Sequence, residues 1–185
     1  MEIKEATIEG LLIIKPDVWG DSRGYFFESY NREQLSRLAP QIPDFVQDNQ
    51  SLSSYGVLRG LHFQTPPHAQ AKLVRVVEGA VWDVAVDLRP HSKSFGKYFS
   101  IELTGENNLQ LFIPEGFAHG FLVLSERALF SYKCSNYYNK ESEGGIIWND
   151  ADIAVDWPIK ENELIISAKD RLHPTFGMWK KERGL

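Results

Sequence analysis

The segment Val81–Leu88, with the sequence VWDVAVDL, carries the pattern that decides the fold. Its even-numbered residues are all apolar, whereas its odd-numbered residues include Asp83 and Asp87. This alternation with a period of two predicts a β-strand. Lys72–Val77 (KLVRVV) precedes it and is also typical of a strand. The Glu78-Gly79 pair between the two segments predicts a tight turn that closes a β-hairpin.

Further short segments with strand character are separated by Pro, Gly, Asn and Asp. They are residues 56–64, 98–103, 109–113, 120–124 and 128–135. Helical signal is scarce: Asn31 as an N-cap predicts one helix that stops before Pro40, and a second is expected in the last twenty residues. Because no repeat or linker divides the chain, we expect one domain over residues 1–185. The many short strands and few helices predict a mainly antiparallel β-fold, a small barrel with a few short helices.

Composition excludes several classes of protein. The 185 residues carry a net charge of -5, which argues against a nucleic-acid partner but not against a small anion. The single cysteine, Cys134, cannot form an internal disulfide. No apolar run is long enough to span a membrane, and no signal-peptide core is found, so we expect a cytoplasmic protein without a membrane partner.

The most unusual segment is Gly56–Gln64, with the sequence GVLRGLHFQ. It places Arg59 and His62 three residues apart, and on a regular strand such residues face opposite sides. A bulge at Gly60 would re-aim one of them, so that both face the same side. The alternative is a histidine in the core with an arginine at the surface.

Polar or aromatic side chains recur in four other segments. They are His119 in IPEGFAHGF (113–121), Tyr132 and Tyr138 in YKCSNYY (132–138), Arg23 in DSRG (21–24) and Asp170 in SAKD (167–170). Tyr132 and Tyr138 have the same parity, so on one continuous strand both would face a barrel lumen. Taken alone, each of these segments is more typical of a core or a turn than of a catalytic site.

A metal site is the first chemical alternative. His62 and Gln64 form a degenerate H-x-H pair, and Glu78 and His119 would complete the ligand set of a metal-binding cupin. Glutamine is a poor ligand for Zn²⁺ or Fe²⁺, and His68 would replace it only if the Pro66-Pro67 loop folded back. We therefore expect no metal and no cofactor; no nucleotide-binding glycine loop is present either.

Proton abstraction next to a carbonyl fits the remaining residues better. Histidine is the side chain whose pKa suits a general base near neutral pH. Asp170 would orient such an imidazole, and Lys72 would stabilise an enolate oxygen. Inversion also needs a weak acid on the opposite face of the carbon, for which a tyrosine phenol is suited.

The motifs occur together in a recognisable order. FVQDN (45–49), VLRGLHFQ (57–64), KLVRV (72–76), DVAVDLR (83–89), IPEGFAHGF (113–121) and YKCSNYY (132–138) cover nearly the whole chain. In these segments the chain closely resembles the dTDP-4-dehydrorhamnose 3,5-epimerase family. The resemblance implies a cupin-type jelly-roll homodimer, free of metal, that inverts C3 and C5 of dTDP-4-dehydro-6-deoxy-D-glucose through enolates at the C4 ketone.

The resemblance also implies roles for individual residues. His62 would be the base, Tyr132 the acid, Asp170 the partner of His62, and Lys72 the cation beside the ketone. Tyr138 would stack on the thymine. The remaining substrate-binding residues would be Arg23, Glu28, Gln47, Asn49, Arg59, His119, Glu143 and Lys169. The alternatives left open are an epimerase or ketoisomerase that acts on one carbon, a metal-dependent cupin, and a nucleotide-sugar binding protein without catalysis.

Overall fold

The computed structural model describes all of residues 1–185, and most of its regular structure is β-strand. The strands are β1 (Glu2–Glu5), β2 (Leu12–Lys15), β3 (Trp19–Asp21), β4 (Gly24–Phe26), β5 (Gln47–Ser54), β6 (Val57–Gln64), β7 (Lys72–Glu78), β8 (Ala80–Asp87), β9 (Tyr98–Thr104), β10 (Gln110–Ile113), β11 (Phe117–Val123), β12 (Arg127–Cys134), β13 (Glu143–Gly145) and β14 (Ile165–Ile166). The α-helices are α1 (Arg32–Leu38) and α2 (Phe176–Glu182).

Two antiparallel sheets form the body of the protein. One has the strand order β1-β2-β10-β7-β12-β5, and the other has the order β13-β6-β11-β8-β9, with β14 parallel to β6 at its end. Strands β3 and β4 form a separate two-stranded ribbon. This arrangement is the predicted cupin-type jelly roll, and it brings the faces of two sheets together around a common interior.

Alternation of side chains explains how the sheets pack. On β7, Val74 and Val76 belong to the cluster between the sheets, whereas Leu73 packs outward against α1. On β8, Val81 and Ala85 point into the same interior, whereas Val84 and Val86 pack outward against α2. Both faces of these central strands are therefore buried, and inward-pointing polar residues must find partners inside the barrel.

Both predicted helices are present, and the first begins where the sequence predicts. Asn31 caps α1, since its side chain accepts a hydrogen bond from the Gln34 backbone N–H at 3.0 Å. The helix ends at Leu38, two residues before Pro40. Helix α2 lies in the last twenty residues, where a second helix was expected. Each helix is seven residues long, and no helix has the length and hydropathy needed to cross a membrane.

The predicted hairpin between β7 and β8 is wrong. Strand β7 pairs with β10 and β12, whereas β8 pairs with β9 and β11 in the opposite sheet. The Glu78-Gly79 segment therefore carries the chain from one sheet to the other. Adjacent strands of a jelly roll commonly change sheets in this way, and a turn signature does not reveal it.

Candidate active site

A cavity between the two sheets contains most of the expected site residues. It consists of two neighbouring lobes, each of about 350 Å³, whose linings have Asn49, His62, Lys72 and Tyr132 in common. The inner lobe also includes Arg59 and His119. The outer lobe instead includes Gln47, Tyr138 and Glu143.

A bulge in β6 places Arg59 and His62 in the same cavity. His119 of β11 lies opposite His62, but Phe121 lies opposite Arg59, so β6 has one extra residue between the two positions. Gly60 fills this place with φ of +130°, and a Cβ there would come within 2.6 Å of the Gly120 Cα. Glycine is therefore required, and the predicted re-aiming is confirmed.

His62 is hydrogen-bonded to Asp170. Its Nε2 lies 2.8 Å from Asp170 Oδ1, and the Gly60 backbone N–H donates to the other carboxylate oxygen at 3.3 Å. Burial alone would raise the pKa of Asp170, but these hydrogen bonds outweigh it and hold the pKa below its usual value. The ionised carboxylate keeps the proton of a neutral His62 ring on Nε2, which leaves Nδ1 to accept a proton.

Tyr132 and Lys72 reach the cavity from the opposite sheet. Both point inward, on β12 and β7 respectively, and both line the two lobes with His62. Burial is the main cause that raises the pKa of Tyr132, so its phenol stays protonated at neutral pH. Burial also lowers the pKa of Lys72, while Cys134, Asp83 and Glu143 oppose the shift.

His119, which lines the inner lobe, forms a second histidine–aspartate pair. His119 Nε2 is 2.9 Å from Oδ2 and 3.1 Å from Oδ1 of Asp83 on the neighbouring strand β8. Burial lowers the pKa of His119, although Asp83 opposes this. A neutral His119 therefore donates its Nε2 proton to Asp83 and is held in one orientation.

Hydrogen bonds link the residues of the outer lobe. The Tyr138 hydroxyl donates to Glu143 at 3.0 Å, and Lys169 Nζ lies 2.6 Å from the same carboxylate. Burial alone would raise the pKa of Glu143, but these two hydrogen bonds lower it overall. Gln47 accepts from the Tyr138 backbone N–H at 3.0 Å and donates to Asn49 at 3.0 Å. The expected nucleotide-sugar residues are thus mutually connected here.

Tyr138 reaches the cavity by a different route from the one expected. Strand β12 ends at Cys134, so Tyr138 lies in the following segment and parity with Tyr132 does not orient it. Both rings nevertheless line the outer lobe. The Tyr138 ring is exposed at the mouth of the cavity, whereas Tyr132 is half-buried.

Arg23 and Glu28 do not line this cavity. Arg23 lies at the turn of the β3–β4 ribbon, where it pairs with Asp21 and lines a separate hollow with the aromatic residues of the ribbon. Glu28 is exposed and accepts a hydrogen bond from the Asn31 side chain. Within one chain, the structure therefore leaves two expected substrate-binding residues away from His62.

The ligands of the metal-cupin alternative are not assembled. Glu78 lies six residues from Lys72 along β7, about 20 Å away, and pairs with Arg127. The Gln64 side chain is occupied by three hydrogen bonds, to the His68 carbonyl, the Tyr137 carbonyl and the Asn139 backbone N–H. Of the four proposed ligands, His62 and His119 lie opposite each other on β6 and β11, and Gln64 lines the outer lobe with His62, but Glu78 lines neither lobe.

Sequence reasoning missed several lining or contacting residues. The sequence pattern gave Asp83 only a place in the two-residue alternation of Val81–Leu88, although a carboxylate on an inward-facing position signals a buried partner. Cys134 lines the outer lobe and accepts a weak hydrogen bond from Asn49 at 3.5 Å. His173 packs against His62, with 5.4 Å between ring centroids. No sequence pattern marks this last contact, because the C-terminal segment reaches the site only through the tertiary fold.

A jelly-roll barrel whose interior holds ionisable residues from both sheets defines a cupin-type enzyme. The model of the dTDP-4-dehydrorhamnose 3,5-epimerase family matches residues 5–177. The chain belongs to this family and is an epimerase of the dTDP-4-dehydrorhamnose 3,5 type.

The chain is similar to two relatives described as 3,5-epimerases and to one described as a monoepimerase. The dTDP-4-dehydrorhamnose 3,5-epimerase of Escherichia coli K12 is 54% identical over 170 residues, which cover 92% of this chain and 91% of that protein. The dTDP-6-deoxy-D-glucose-3,5-epimerase of Legionella pneumophila, solved with dTDP-4-keto-L-rhamnose, has a TM-score of 0.93 at 45% identity and covers 98% and 95% of the two chains. A 3'-monoepimerase of Streptomyces bikiniensis, solved with dTDP-quinovose, has a TM-score of 0.89 at 30% identity and covers 97% and 90%.

Proposed function

We propose that the protein inverts C3 and C5 of dTDP-4-dehydro-6-deoxy-D-glucose by proton transfer between His62 and Tyr132. One observation carries this proposal: the two side chains come from opposite sheets and line one cavity. A sugar ring held between them has a base on one face and an acid on the other. Inversion of a carbon needs these two groups on opposite faces.

The proposed steps move one proton in and one proton out at each carbon. His62 Nδ1 takes the proton from the carbon next to the C4 ketone, and Asp170 stabilises the resulting imidazolium. The electron pair moves to the ketone oxygen, where the amine of Lys72 stabilises the enolate charge. The Tyr132 phenol then donates its proton to the opposite face of the carbon.

The outer lobe is the proposed binding site for the nucleotide. The exposed Tyr138 ring offers a flat surface for the thymine, and Lys169 lies beside it. In the inner lobe, Arg59 is held by a hydrogen bond to Ser53 at 3.1 Å. We propose that Arg59 and Lys169 bind the diphosphate, and that Gln47, Asn49, His119 and Glu143 contact the remaining polar groups of the substrate.

The test is incubation of the protein with dTDP-4-dehydro-6-deoxy-D-glucose in D₂O, followed by NMR. Incorporation of deuterium at both C3 and C5, with formation of the L-sugar, is the expected result. Deuterium at a single carbon would instead support the monoepimerase alternative. Absence of any exchange would leave a binding protein without catalysis and would refute the proposal.

The Tyr132→Phe variant separates the two halves of the mechanism. Abstraction by His62 does not need the phenol, so deuterium should still enter the sugar, while inversion to the L-sugar should fall by about 10² to 10⁴-fold. The same NMR experiment measures both quantities. Unchanged turnover to the L-sugar would remove Tyr132 from the acid role.

We also propose that the protein is a homodimer in which each chain supplies Arg23 and Glu28 to the site of the other. The proposal is supported by their position outside the cavity and by the exposed aromatic rings of Trp19, Tyr25 and Phe26 on the same ribbon. Rings in such numbers on a surface are typical of an interface. We further propose a cytoplasmic location, which the unpaired Cys134 is consistent with.

Mixed dimers test this arrangement. Arg23→Ala and His62→Ala chains should each be weakly active alone, and their mixture should regain activity because one site per mixed dimer has both residues intact. No gain on mixing, or a monomer in analytical ultracentrifugation, would contradict the proposal.

Treatment with a chelator tests the metal-dependent alternative. We expect the treated protein to retain its epimerase activity, which would oppose that alternative.

A further inference from the structure

We propose that His62, Asp170 and His173 form a binding site for Zn²⁺ or a similar transition-metal ion, and that the bound ion inhibits the enzyme. Two imidazole nitrogens and one carboxylate oxygen of these residues lie within 4.8 Å of one another. Two histidines and a carboxylate are a ligand set that suits Zn²⁺ and its neighbours. This group shares only His62 with the four residues that a metal-dependent cupin would use.

The spacing of the ligand atoms fits one ion. Asp170 Oδ1 lies 2.8 Å from His62 Nε2 and 3.6 Å from His173 Nε2. Two ligands on a tetrahedral ion with bonds of about 2.0 to 2.1 Å are roughly 3.3 Å apart, which lies between these two distances. Small rotations of the side chains are therefore enough to bring all three atoms to bonding distance.

The environment of His173 gives an independent indication of a bound ligand. Its Nε2 is buried without a hydrogen-bond partner, and only 11% of its side chain is exposed. A buried polar atom without a partner is uncommon and calls for an explanation. The nitrogen is aimed at the carboxylate that already binds His62, so an ion between the three residues would satisfy it.

The surrounding chain leaves space for the His173 ring and holds it in place. A Cβ at Gly145 would come within 2.5 Å of the ring, so the position opposite the ring must be glycine. The Ile147 backbone N–H donates to the Pro174 carbonyl at 2.9 Å, which fixes the chain next to His173. An ion would enter from the cavity past His62, of which 32% is exposed.

Inhibition follows from the tautomer of His62. In the metal-free pair, the ring proton is on Nε2 and faces Asp170, so the Nδ1 lone pair is free for the substrate. An ion bound to Nε2 displaces the proton from that nitrogen and uses its electron pair, and the proton of the neutral ring then occupies the Nδ1 lone pair. The ring can then no longer accept a proton from the sugar, so the bound ion blocks abstraction. Binding itself does not depend on the proposed function, but this inhibitory effect does.

Equilibrium dialysis of chelator-stripped protein against Zn²⁺, with metal analysis, measures binding without reference to turnover. We expect one Zn²⁺ per chain and no retention of Mg²⁺, which prefers oxygen ligands. His173→Phe keeps a ring against Gly145 but removes the ligand nitrogen, and it should weaken Zn²⁺ binding at least about tenfold. His173→Gln is the second variant, and thermal melting checks that both are folded.

His91→Gln is the matched control, because His91 is exposed and is not a member of the ligand set. It should bind Zn²⁺ as the wild type does. With the activity of each protein expressed relative to its own value in metal-free buffer, Zn²⁺ should inhibit the wild type at concentrations at least about tenfold lower than it inhibits the His173→Phe variant. Equal Zn²⁺ binding by wild type and both His173 variants, or no Zn²⁺ binding by the wild type, would overturn the proposal. If Zn²⁺ binds as expected but no deuterium enters the sugar, the proposed function fails and the site stands.

Discussion

His62 and His119 lie directly opposite each other on β6 and β11, and each is hydrogen-bonded to an aspartate. The side chain of His62 is 32% exposed to the cavity, whereas that of His119 is 8% exposed. Asp170 reaches His62 from the C-terminal segment, whereas Asp83 lies on the strand next to His119. The two histidine–aspartate pairs therefore differ in their access to the cavity: His62 is open to it and is the proposed base, whereas His119 is almost fully buried and donates its Nε2 proton to Asp83.

The largest expected effect separates the two histidines. His62→Ala should lower deuterium incorporation into the sugar by about 10³ to 10⁴-fold, because it removes the proposed base. Binding of dTDP should be nearly unchanged, since the proposed nucleotide contacts are made by other residues. Calorimetric titration with dTDP and NMR in D₂O measure the two quantities. An active His62→Ala enzyme would remove the proposed distinction between the histidines.

The aspartates should differ in what they affect. Asp170→Asn should lower the rate by roughly 10²-fold or more, because a neutral amide stabilises the imidazolium poorly. Asp83→Asn should cost about 1 to 3 kcal/mol of the free energy of unfolding, because it weakens a buried hydrogen bond, and should change the rate less. Steady-state kinetics and urea denaturation on both variants test this. A larger rate loss in Asp83→Asn than in Asp170→Asn would reverse the assignment.

The smallest expected effect is a pH dependence of stability from the buried histidine. Burial lowers the pKa of His119. Below about pH 6.5 the imidazole of this residue therefore binds a proton in the unfolded chain that it does not bind in the folded protein. The free energy of unfolding should be level above this pH and fall as the pH drops from about 6.5 towards 5. Each pH unit by which folding lowers the pKa of His119 corresponds to a loss of about 1.4 kcal/mol from the free energy of unfolding at low pH. Asp170, whose pKa is lowered from an already acidic value, does not titrate in this window.

Urea denaturation between pH 8 and 5 measures this slope in the wild type and in His119→Gln, which should have a shallower slope. His173 contributes in the same direction, because burial lowers its pKa too. The slope should therefore decrease without vanishing. His91→Gln serves as the control and should keep the wild-type slope. An unchanged slope in His119→Gln would mean that burial of this imidazole has no effect on stability.

Local signals in the sequence were sufficient for much of the fold. The alternation in Val81–Leu88 and the cap at Asn31 depend on neighbours along the chain, and both appear in the structure as predicted. The hairpin at Glu78-Gly79 was wrong because pairing depends on strands far away in the sequence. The bulge at Gly60 was predictable only in part. A glycine between Arg59 and His62 suggested a bulge, but only the close approach of strand β11 explains why the residue must be glycine.

The sequence by itself determined the family, the barrel class and the residue types of the site, because ordered motifs and two-residue periodicity are written along the chain. Only the tertiary structure decided which groups meet. Asp83 contacts His119 because β8 pairs with β11, and His173 contacts His62 from the last turn before α2. The ribbon that holds Arg23 lies apart from the cavity of its own chain. These contacts join residues far apart along the chain, so no local pattern records them.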